Sequence, residues 1–104
     1  MTAWFVSRHP GAIAWIKRQA ISIDQFEPHL DIDEVKKNDI VYGTLPVNLA
    51  WKVTIRGARY LHLTLNVPEN WRGHELTDKQ LDKLQAKLEE FKIERVLVVD
   101  TRES

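Results

Sequence analysis

Two segments of the chain share one layout, in which an apolar run is followed by a hydroxyl residue and then by a proline. In the first, Ala3-Trp4-Phe5-Val6 precedes Ser7-Arg8-His9-Pro10, and in the second, Ile40-Val41-Tyr42 precedes Thr44-Leu45-Pro46. Proline suits the first position of a helix, because its missing N–H would have no partner there. Each segment therefore predicts a turn from a strand into a helix, and two such turns favour an α/β fold with parallel strands.

Strands and helices alternate along the rest of the chain. Apolar patterning predicts strands at 3–7, 23–26, 40–43, 60–67 and 95–100, helices at 10–19 and 46–55, and a tail at 101–104. A third helix is expected after the capping box Thr77-Asp78-Lys79-Gln80, with an apolar stripe formed by Leu81, Leu84, Leu88 and Phe91. We therefore predict one Rossmann-like domain over residues 1–104, with a mainly parallel five-stranded sheet and helices on both faces. The run Val96-Leu97-Val98-Val99 is expected to be a strand covered on both faces.

The composition argues against several classes of partner. Fifteen Lys and Arg residues balance fifteen Asp and Glu residues, so no overall field draws the protein to duplex nucleic acid or to an anionic membrane. The chain has no cysteine, which excludes a disulfide framework and a thiolate metal site. No apolar run approaches the roughly 18 residues of a membrane span, and no signal-peptide pattern is present, so a cytoplasmic protein is expected.

The carboxyl ends of the predicted strands collect the candidate site residues. Open α/β sheets bind ligands at this edge, and helix N-termini favour anions. Arg8 is the foremost candidate, because a guanidinium matches phosphate geometry. His9 either assists proton transfer or serves only as a helix cap. The other candidate ligand-binding residues are Ser7, Gly11, Thr44, Pro46, Asn48, Asn66 and Arg72, and the same edge is expected to receive His29, His74, Asp100 and Thr101.

Several of these candidates also have purely structural interpretations. Ser7 and Thr44 fit turn or cap hydroxyls, and Arg72 with Gly73 fits either an ordinary turn or a mobile lid that closes on an anion. Arg56, Arg59 and Arg95 are expected at the opposite edge of the sheet, and His62, in the middle of a strand, is expected to be structural. Trp51 lies off the apolar face of its helix, so it is either exposed or part of a dimer contact.

No familiar nucleotide or metal motif is present. The chain lacks a G-x-G-x-x-G or Walker-type loop, and no His or carboxylate spacing fits a metal site. We therefore expect no metal and no other cofactor. Cationic and hydroxyl groups around a phosphate suit attack by an RNA 2′-hydroxyl on its own phosphodiester, which needs in-line positioning and neutralisation of charge.

The blocks Ser7-Arg8-His9-Pro10-Gly11-Ala12, Gly43-Thr44-Leu45-Pro46-Val47-Asn48 and Arg56-Gly57-Ala58-Arg59-Tyr60 resemble small CRISPR-associated accessory proteins of type III systems, in the Csx group. The resemblance implies a Rossmann-like fold related to the CARF domains that sense cyclic oligoadenylates. It also implies a homodimer that acts as a metal-independent ring nuclease. Such enzymes open cyclic tetra-adenylate and leave 2′,3′-cyclic phosphate ends.

By the same resemblance, Arg8 and His9 are the catalytic candidates, and Thr44 and Asn48 contact the ligand. Asn48 stands where some relatives are expected to have histidine. Two other functions stay open on the residues alone. One is a module that sequesters the messenger without cutting it, and the other is a structural protein that docks another CRISPR component through its tryptophans.

Overall fold

The computed structural model describes residues 1–101, and within them the chain forms a five-stranded mixed sheet with three α-helices. The strands are β1 (Ala3–Val6), β2 (Gln25–Glu27), β3 (Ile40–Gly43), β4 (Arg59–Thr64) and β5 (Lys87–Phe91). The helices are α1 (Pro10–Lys17), α2 (Val47–Ile55) and α3 (Asp78–Lys83), and two 3₁₀ turns lie at Ile32–Glu34 and Glu69–Trp71. The sheet order is β2-β1-β3-β4-β5. The first three pairings are parallel, and β5 runs antiparallel to β4.

The sheet is covered by helices on both faces, as predicted. Alternate residues of β1 point to opposite faces, as in any strand. Phe5 packs with Ile16 of α1 and Leu81 of α3 in one apolar cluster. Trp4 packs with Val53 of α2 in the other. The fold is thus an α/β sandwich of three layers, with α1 and α3 on one side and α2 on the other.

The sequence predicts the first two-thirds of the chain well. Through β4, every predicted strand and helix is present, with its ends within three residues of the predicted positions. No helix among residues 1–101 has the length and apolar character needed to cross a bilayer. Residues 102–104, which belong to the predicted tail, lie outside the described part of the chain.

The prediction is wrong after Lys83. The third helix ends there, and Gln85 adopts a left-handed backbone conformation (φ 57°) that turns the chain into β5. Leu88, predicted to lie on the helix, instead pairs with Leu63 of β4. Because β4 then has β3 on one edge and β5 on the other, no edge of β4 is left for a strand at 95–100. Residues 96–99, expected to be a covered strand, form no strand and are 67–92% exposed.

Charged groups at the amino edge of the sheet are satisfied by the fold itself. Asp39 is 3% exposed and accepts hydrogen bonds from the backbone N–H groups of Thr2 and Lys36 and from the indole of Trp4. Burial alone would raise the pKa of the Asp39 carboxyl, but these donors outweigh it and lower the pKa below its ordinary value. Arg56 donates to the carbonyl oxygen of Val35 at 2.8 Å. The contacts of Asp39 join the amino ends of β1 and β3, and the contact of Arg56 fixes the C-terminus of α2.

Arg59 belongs to the same group of satisfied charges. It holds Glu90 of β5 through two hydrogen bonds of 2.8 and 2.9 Å, and these bonds raise the pKa of Arg59 and lower that of Glu90. Both side chains are about half exposed, so the pair fixes the position of β5 more than it stabilises the fold. Arg56 and Arg59 thus lie at the edge of the sheet opposite the candidate residues, as predicted, and the fold binds their donors.

Candidate functional site

The candidate site lies where β1 and β3 end side by side. Val6 is paired with Gly43, so Ser7 and Thr44 follow neighbouring strands at the same level. The helix after β1 packs on one face of the sheet, and the helix after β3 packs on the other. Adjacent parallel strands whose following helices leave on opposite faces open a crevice, and open α/β sheets bind ligands in such crevices.

Two cavities open on this crevice and share Ser7, His9 and Thr44. The cavity on the α2 side has a volume of about 410 Å³. The cavity on the α1 and α3 side has a volume of about 230 Å³. Their polar lining brings together most of the predicted cationic and hydroxyl residues, namely Ser7, Arg8, His9, His29 and Thr44 in the cavity on the α2 side and Ser7, His9, Thr44 and His74 in the other. Glu75, which was not predicted, also lines the second cavity.

The two helices that begin at the crevice have no side-chain caps. His9 precedes α1 and Pro46 precedes α2, and neither side chain accepts a hydrogen bond from the first turn. In contrast, α3 has a complete capping box between Thr77 and Gln80. The first turn of a helix carries unpaired N–H donors and a partial positive charge. Two uncapped N-termini at one crevice therefore favour an anion there.

Arg8 adds a full positive charge to this crevice. Its side chain is exposed at the rim of the larger cavity, and within residues 1–101 it makes no hydrogen bond or ion pair. A guanidinium has five N–H donors, which match the oxygens of a phosphate in pairs. Arg8 thus differs from Arg56 and Arg59, whose donors are bound by protein acceptors.

His9 is held by groups from two parts of the chain. Its backbone N–H donates to Ser7 Oγ at 3.1 Å, and its Nδ1 lies 3.0 Å from Glu75 Oε1. An ionised carboxylate only accepts hydrogen bonds, so Nδ1 is the protonated nitrogen in this pair. A neutral His9 then carries its free lone pair on Nε2. This arrangement orients the imidazole so that Nε2 is available as a base.

Tyr60 supports the turn between β3 and α2. Its hydroxyl accepts the N–H of Leu45 at 2.9 Å, donates to the Gly43 carbonyl oxygen at 3.2 Å and lies 2.7 Å from Nδ1 of His62. Burial raises the pKa of the Tyr60 hydroxyl. These bonds fix the backbone on both sides of Thr44. His62 is therefore a structural partner of Tyr60, in agreement with the sequence-based interpretation.

Gly43 allows the two strands to approach at the base of the crevice. A Cβ atom at this position would lie 2.6 Å from the carbonyl oxygen of Val6, which is closer than side-chain carbons come to backbone oxygens. A similar close approach explains Gly11, a predicted ligand residue. It is buried, and a Cβ there would lie on the carbonyl oxygen of Leu76. Gly11 thus packs α1 against the segment before α3.

The remaining predicted residues lie away from the two shared cavities. Asn48 lines a separate cavity with Val47 and Trp51. Asn66 and Arg72 are exposed, and neither lines the crevice. Since residues 95–100 form no strand, no strand delivers Asp100 and Thr101 to the carboxyl edge.

Glu75 is the site residue that the sequence reasoning missed. It lies 66 residues from His9 and follows an irregular segment, so no local pattern connects the two. The sequence signal nearest to it is the capping box that starts at Thr77, which places Glu75 just before α3. Among the described residues, no group of three or more His, Asp or Glu side chains is arranged to hold a metal ion.

Comparison with known proteins finds a family match over residues 4–94. The model of the family described as "Putative CRISPR-associated protein (Cas_VVA1548)" matches residues 4–94, which include β2 to β5, all of β1 except Ala3, and every residue that lines the crevice. No curated protein and no solved structure matches the chain. The match covers most of the chain, and the chain therefore belongs to this family of CRISPR-associated proteins.

Proposed function

We propose that this protein binds cyclic oligoadenylate, with cyclic tetra-adenylate as the preferred ring, and opens it without a metal ion. Kinship with the CARF domains of type III CRISPR systems is part of the proposal. The observation that carries the proposal is that hydrogen-bond donors at the crevice between β1 and β3 are not bound by acceptors of the protein. Arg8 makes no hydrogen bond or ion pair within residues 1–101, and α1 and α2 begin without side-chain caps. These donors suit the phosphates of a small polyanion.

The reaction needs few groups from the protein. A 2′-oxygen attacks the adjacent phosphorus, a 2′-O–P bond forms and the P–O5′ bond breaks, leaving a 2′,3′-cyclic phosphate and a 5′-hydroxyl. The 2′-hydroxyl loses its proton to a base, and the departing 5′-oxygen takes one up from water. Arg8 and the two helix N-termini stabilise the negative charge that develops on the phosphoryl oxygens. Holding the three reacting atoms in line supplies much of the remaining acceleration.

His9 is the proposed base. Glu75 accepts from Nδ1 at 3.0 Å and leaves Nε2 to receive the 2′-hydroxyl proton. The pair is exposed to solvent, so we assign Glu75 a positioning role that operates once the ligand covers the crevice. Ser7 holds the His9 backbone through its hydroxyl at 3.1 Å.

The neutral overall charge fits a small ligand. With fifteen cationic and fifteen anionic side chains, the protein relies on a local site and not on a broad field. We propose that a homodimer presents two copies of the crevice to one ring, because a ring with an even number of identical units matches a two-fold axis.

The test is incubation of the protein with cyclic tetra-adenylate in EDTA, followed by chromatography and ³¹P NMR of the products. Linear fragments ending in 2′,3′-cyclic phosphate support the proposal. His9→Ala and Glu75→Gln should slow cleavage while retaining binding, and Glu75→Gln should also change the pH profile, since it alters the partner of Nδ1. Binding without turnover would identify a sequestering module. Absence of both binding and turnover would overturn the proposal.

A further inference from the structure

The smaller cavity of the crevice, on the α1 and α3 side, has an aliphatic interior and a polar mouth. Leu63 of β4 and Leu81 of α3 are 4 and 3% exposed, and the other aliphatic lining residues are Ala12, Leu65 and Leu76. The polar lining residues are more exposed, and they are Ser7, His9, Thr44, His74 and Glu75. An apolar pocket with a few polar groups that orient the ligand is the usual form of a site for a small organic group.

The size of this cavity distinguishes it from the larger cavity on the α2 side. Its volume of about 230 Å³ is below the roughly 300–1,000 Å³ of pockets that enclose a whole drug-sized ligand. The larger cavity, of about 410 Å³, is lined by Arg8 and His29. Because the two cavities share Ser7, His9 and Thr44, one ligand can occupy both. The guanidinium of Arg8 suits the phosphate of a nucleotide, and the aliphatic cavity suits its base.

The aliphatic side chains of the smaller cavity discriminate among bases because they lack hydrogen-bonding atoms. A carbonyl oxygen that is buried against leucine and alanine side chains loses its water partners without replacement. Guanine, cytosine and uracil each carry at least one carbonyl oxygen, which adenine lacks. The only exocyclic group of adenine is the N6 amine. Adenine is therefore the base that the interior of this cavity accepts at the lowest cost in free energy.

Glu75 provides a hydrogen-bond acceptor at the mouth of this cavity. Its Oε1 lies 3.0 Å from His9 Nδ1, whereas its Oε2 accepts no hydrogen bond within residues 1–101. An ionised carboxylate only accepts hydrogen bonds. The Oε2 atom therefore attracts an amine and repels a carbonyl oxygen. Because the next residue, Leu76, belongs to the aliphatic lining, the carboxylate stands at the edge of the apolar interior.

We propose that the smaller cavity binds an adenine base of the ring and that Glu75 Oε2 accepts a hydrogen bond from its N6 amine. Glu75 is then the residue that determines specificity for adenine. The inference rests on the proposed function, since it concerns the base of the same ligand. Glu75 makes two contacts at once, because Oε1 holds His9 while Oε2 holds the base. Recognition of the base thus stabilises the imidazole orientation that proton transfer needs.

Paired binding measurements with an adenine ring and a hypoxanthine ring test the proposal. Hypoxanthine has the shape of adenine, with a carbonyl oxygen in place of the N6 amine. The probes are cyclic tetra-2′-deoxyadenylate and cyclic tetra-2′-deoxyinosinate, which lack the attacking 2′-hydroxyl and stay intact during isothermal titration calorimetry. The unmodified protein should bind the adenine ring at least about tenfold more tightly, the scale of one hydrogen bond to a charged group. The ratio of kcat/KM for the corresponding ribose rings is the second readout.

Glu75→Gln should reduce this preference to about twofold or less, because its amide N–H can donate to the carbonyl oxygen of hypoxanthine. Its affinity for the adenine ring should change little, since the amide oxygen still accepts from the amine. Glu69→Gln is the matched control. Glu69 is an exposed carboxylate in the preceding 3₁₀ turn and lines neither cavity, so its substitution should leave the preference unchanged.

Equal affinity for the two rings in the unmodified protein would overturn the proposal, and so would a preference that Glu75→Gln leaves unchanged. Either result, together with binding of the adenine ring, would leave the proposed function standing. Absence of binding to both probes and to cyclic tetra-adenylate itself would overturn the proposed function, and this inference with it.

Discussion

The two edges of the parallel strands differ in whether the fold binds their arginine side chains. At the amino edge, Asp39 and Arg56 are bound by backbone groups and Arg59 is bound by Glu90. At the carboxyl edge, Arg8 has no partner within residues 1–101, and both helices begin uncapped. Charged groups that are hydrogen-bonded within the protein stabilise the fold. We propose that the donors that the fold leaves unbound face the ligand.

The largest effect is expected at the amino edge, for Asp39→Ala. Removal of the carboxylate leaves the N–H groups of Thr2 and Lys36 and the indole of Trp4 without their acceptor. Unfolding in urea should show a loss of about 3 kcal/mol or more. Glu34→Ala, at an exposed carboxylate nearby, should change the free energy of unfolding by under ~0.5 kcal/mol. Equal losses in the two variants would contradict the structural role of Asp39.

The same carboxylate predicts a dependence of stability on pH. The pKa of Asp39 is lowered in the folded state, so its contribution is complete above the unfolded pKa of about 3.9 and is lost as the pH falls through the folded value. Melting temperature measured from pH 7 down to pH 2 should fall more in the unmodified protein than in Asp39→Asn. Parallel curves for the two proteins would show that other carboxylates dominate the acid transition.

The matching effect at the carboxyl edge is on binding and not on stability. Arg8→Ala should weaken cyclic tetra-adenylate binding by about 1.5–3 kcal/mol, since it removes charge-assisted hydrogen bonds, and should leave the melting temperature unchanged. Arg8→Lys should restore only part of the affinity, because an ammonium lacks the paired donors. Isothermal titration calorimetry measures both. Unchanged affinity in Arg8→Ala would remove this residue from the site.

Arg56→Ala is expected to affect stability and not ligand binding, the reverse of Arg8→Ala. It removes the hydrogen bond to Val35 and should lower the free energy of unfolding by about 1 kcal/mol. Cleavage and binding should stay within twofold of the unmodified protein, because Arg56 lies at the far end of α2 from the crevice. A loss of affinity comparable to that of Arg8→Ala would show that the two edges do not have separate roles.

The smallest expected effect comes from Asn48→Asp, in the first turn of α2. A carboxylate there interacts favourably with the helix N-terminus and should raise stability by about 0.5 kcal/mol. The same charge should repel a polyanion and weaken binding a few-fold. Thermal melting and titration calorimetry, with Asn48→Gln as the neutral control, distinguish the two effects. A gain in affinity would argue against an anion at this helix N-terminus.

The sequence predicts the crevice because its parts are local. Each strand-to-helix turn is contained in a few residues, and prolines 10 and 46 mark where the helices begin. Parallel pairing of β1 with β3 then brings Ser7 and Thr44 together without further information. The contact between His9 and Glu75 had no such local signal, because it depends on how α3 packs against α1.

The prediction from the sequence is wrong where two patterns compete for the same residues. Leu81, Leu84 and Leu88 have helical spacing, but Leu88 pairs in β5, since the open edge of β4 offers backbone hydrogen bonds that a longer helix would not use. Residues 96–99 have the composition of a covered strand, and no strand of the same molecule has a place for them beside β4.

A titration of ¹⁵N-labelled protein with cyclic tetra-adenylate, followed by amide chemical shifts, tests the assignment of the ligand to the carboxyl edge most directly. We expect the largest shifts at residues 7–13, 29–30, 44–49 and 74–76, with small changes at residues 33–39 and 56–59. Shifts concentrated around Asp39 and Arg56, or no shifts at saturating ligand, would contradict it.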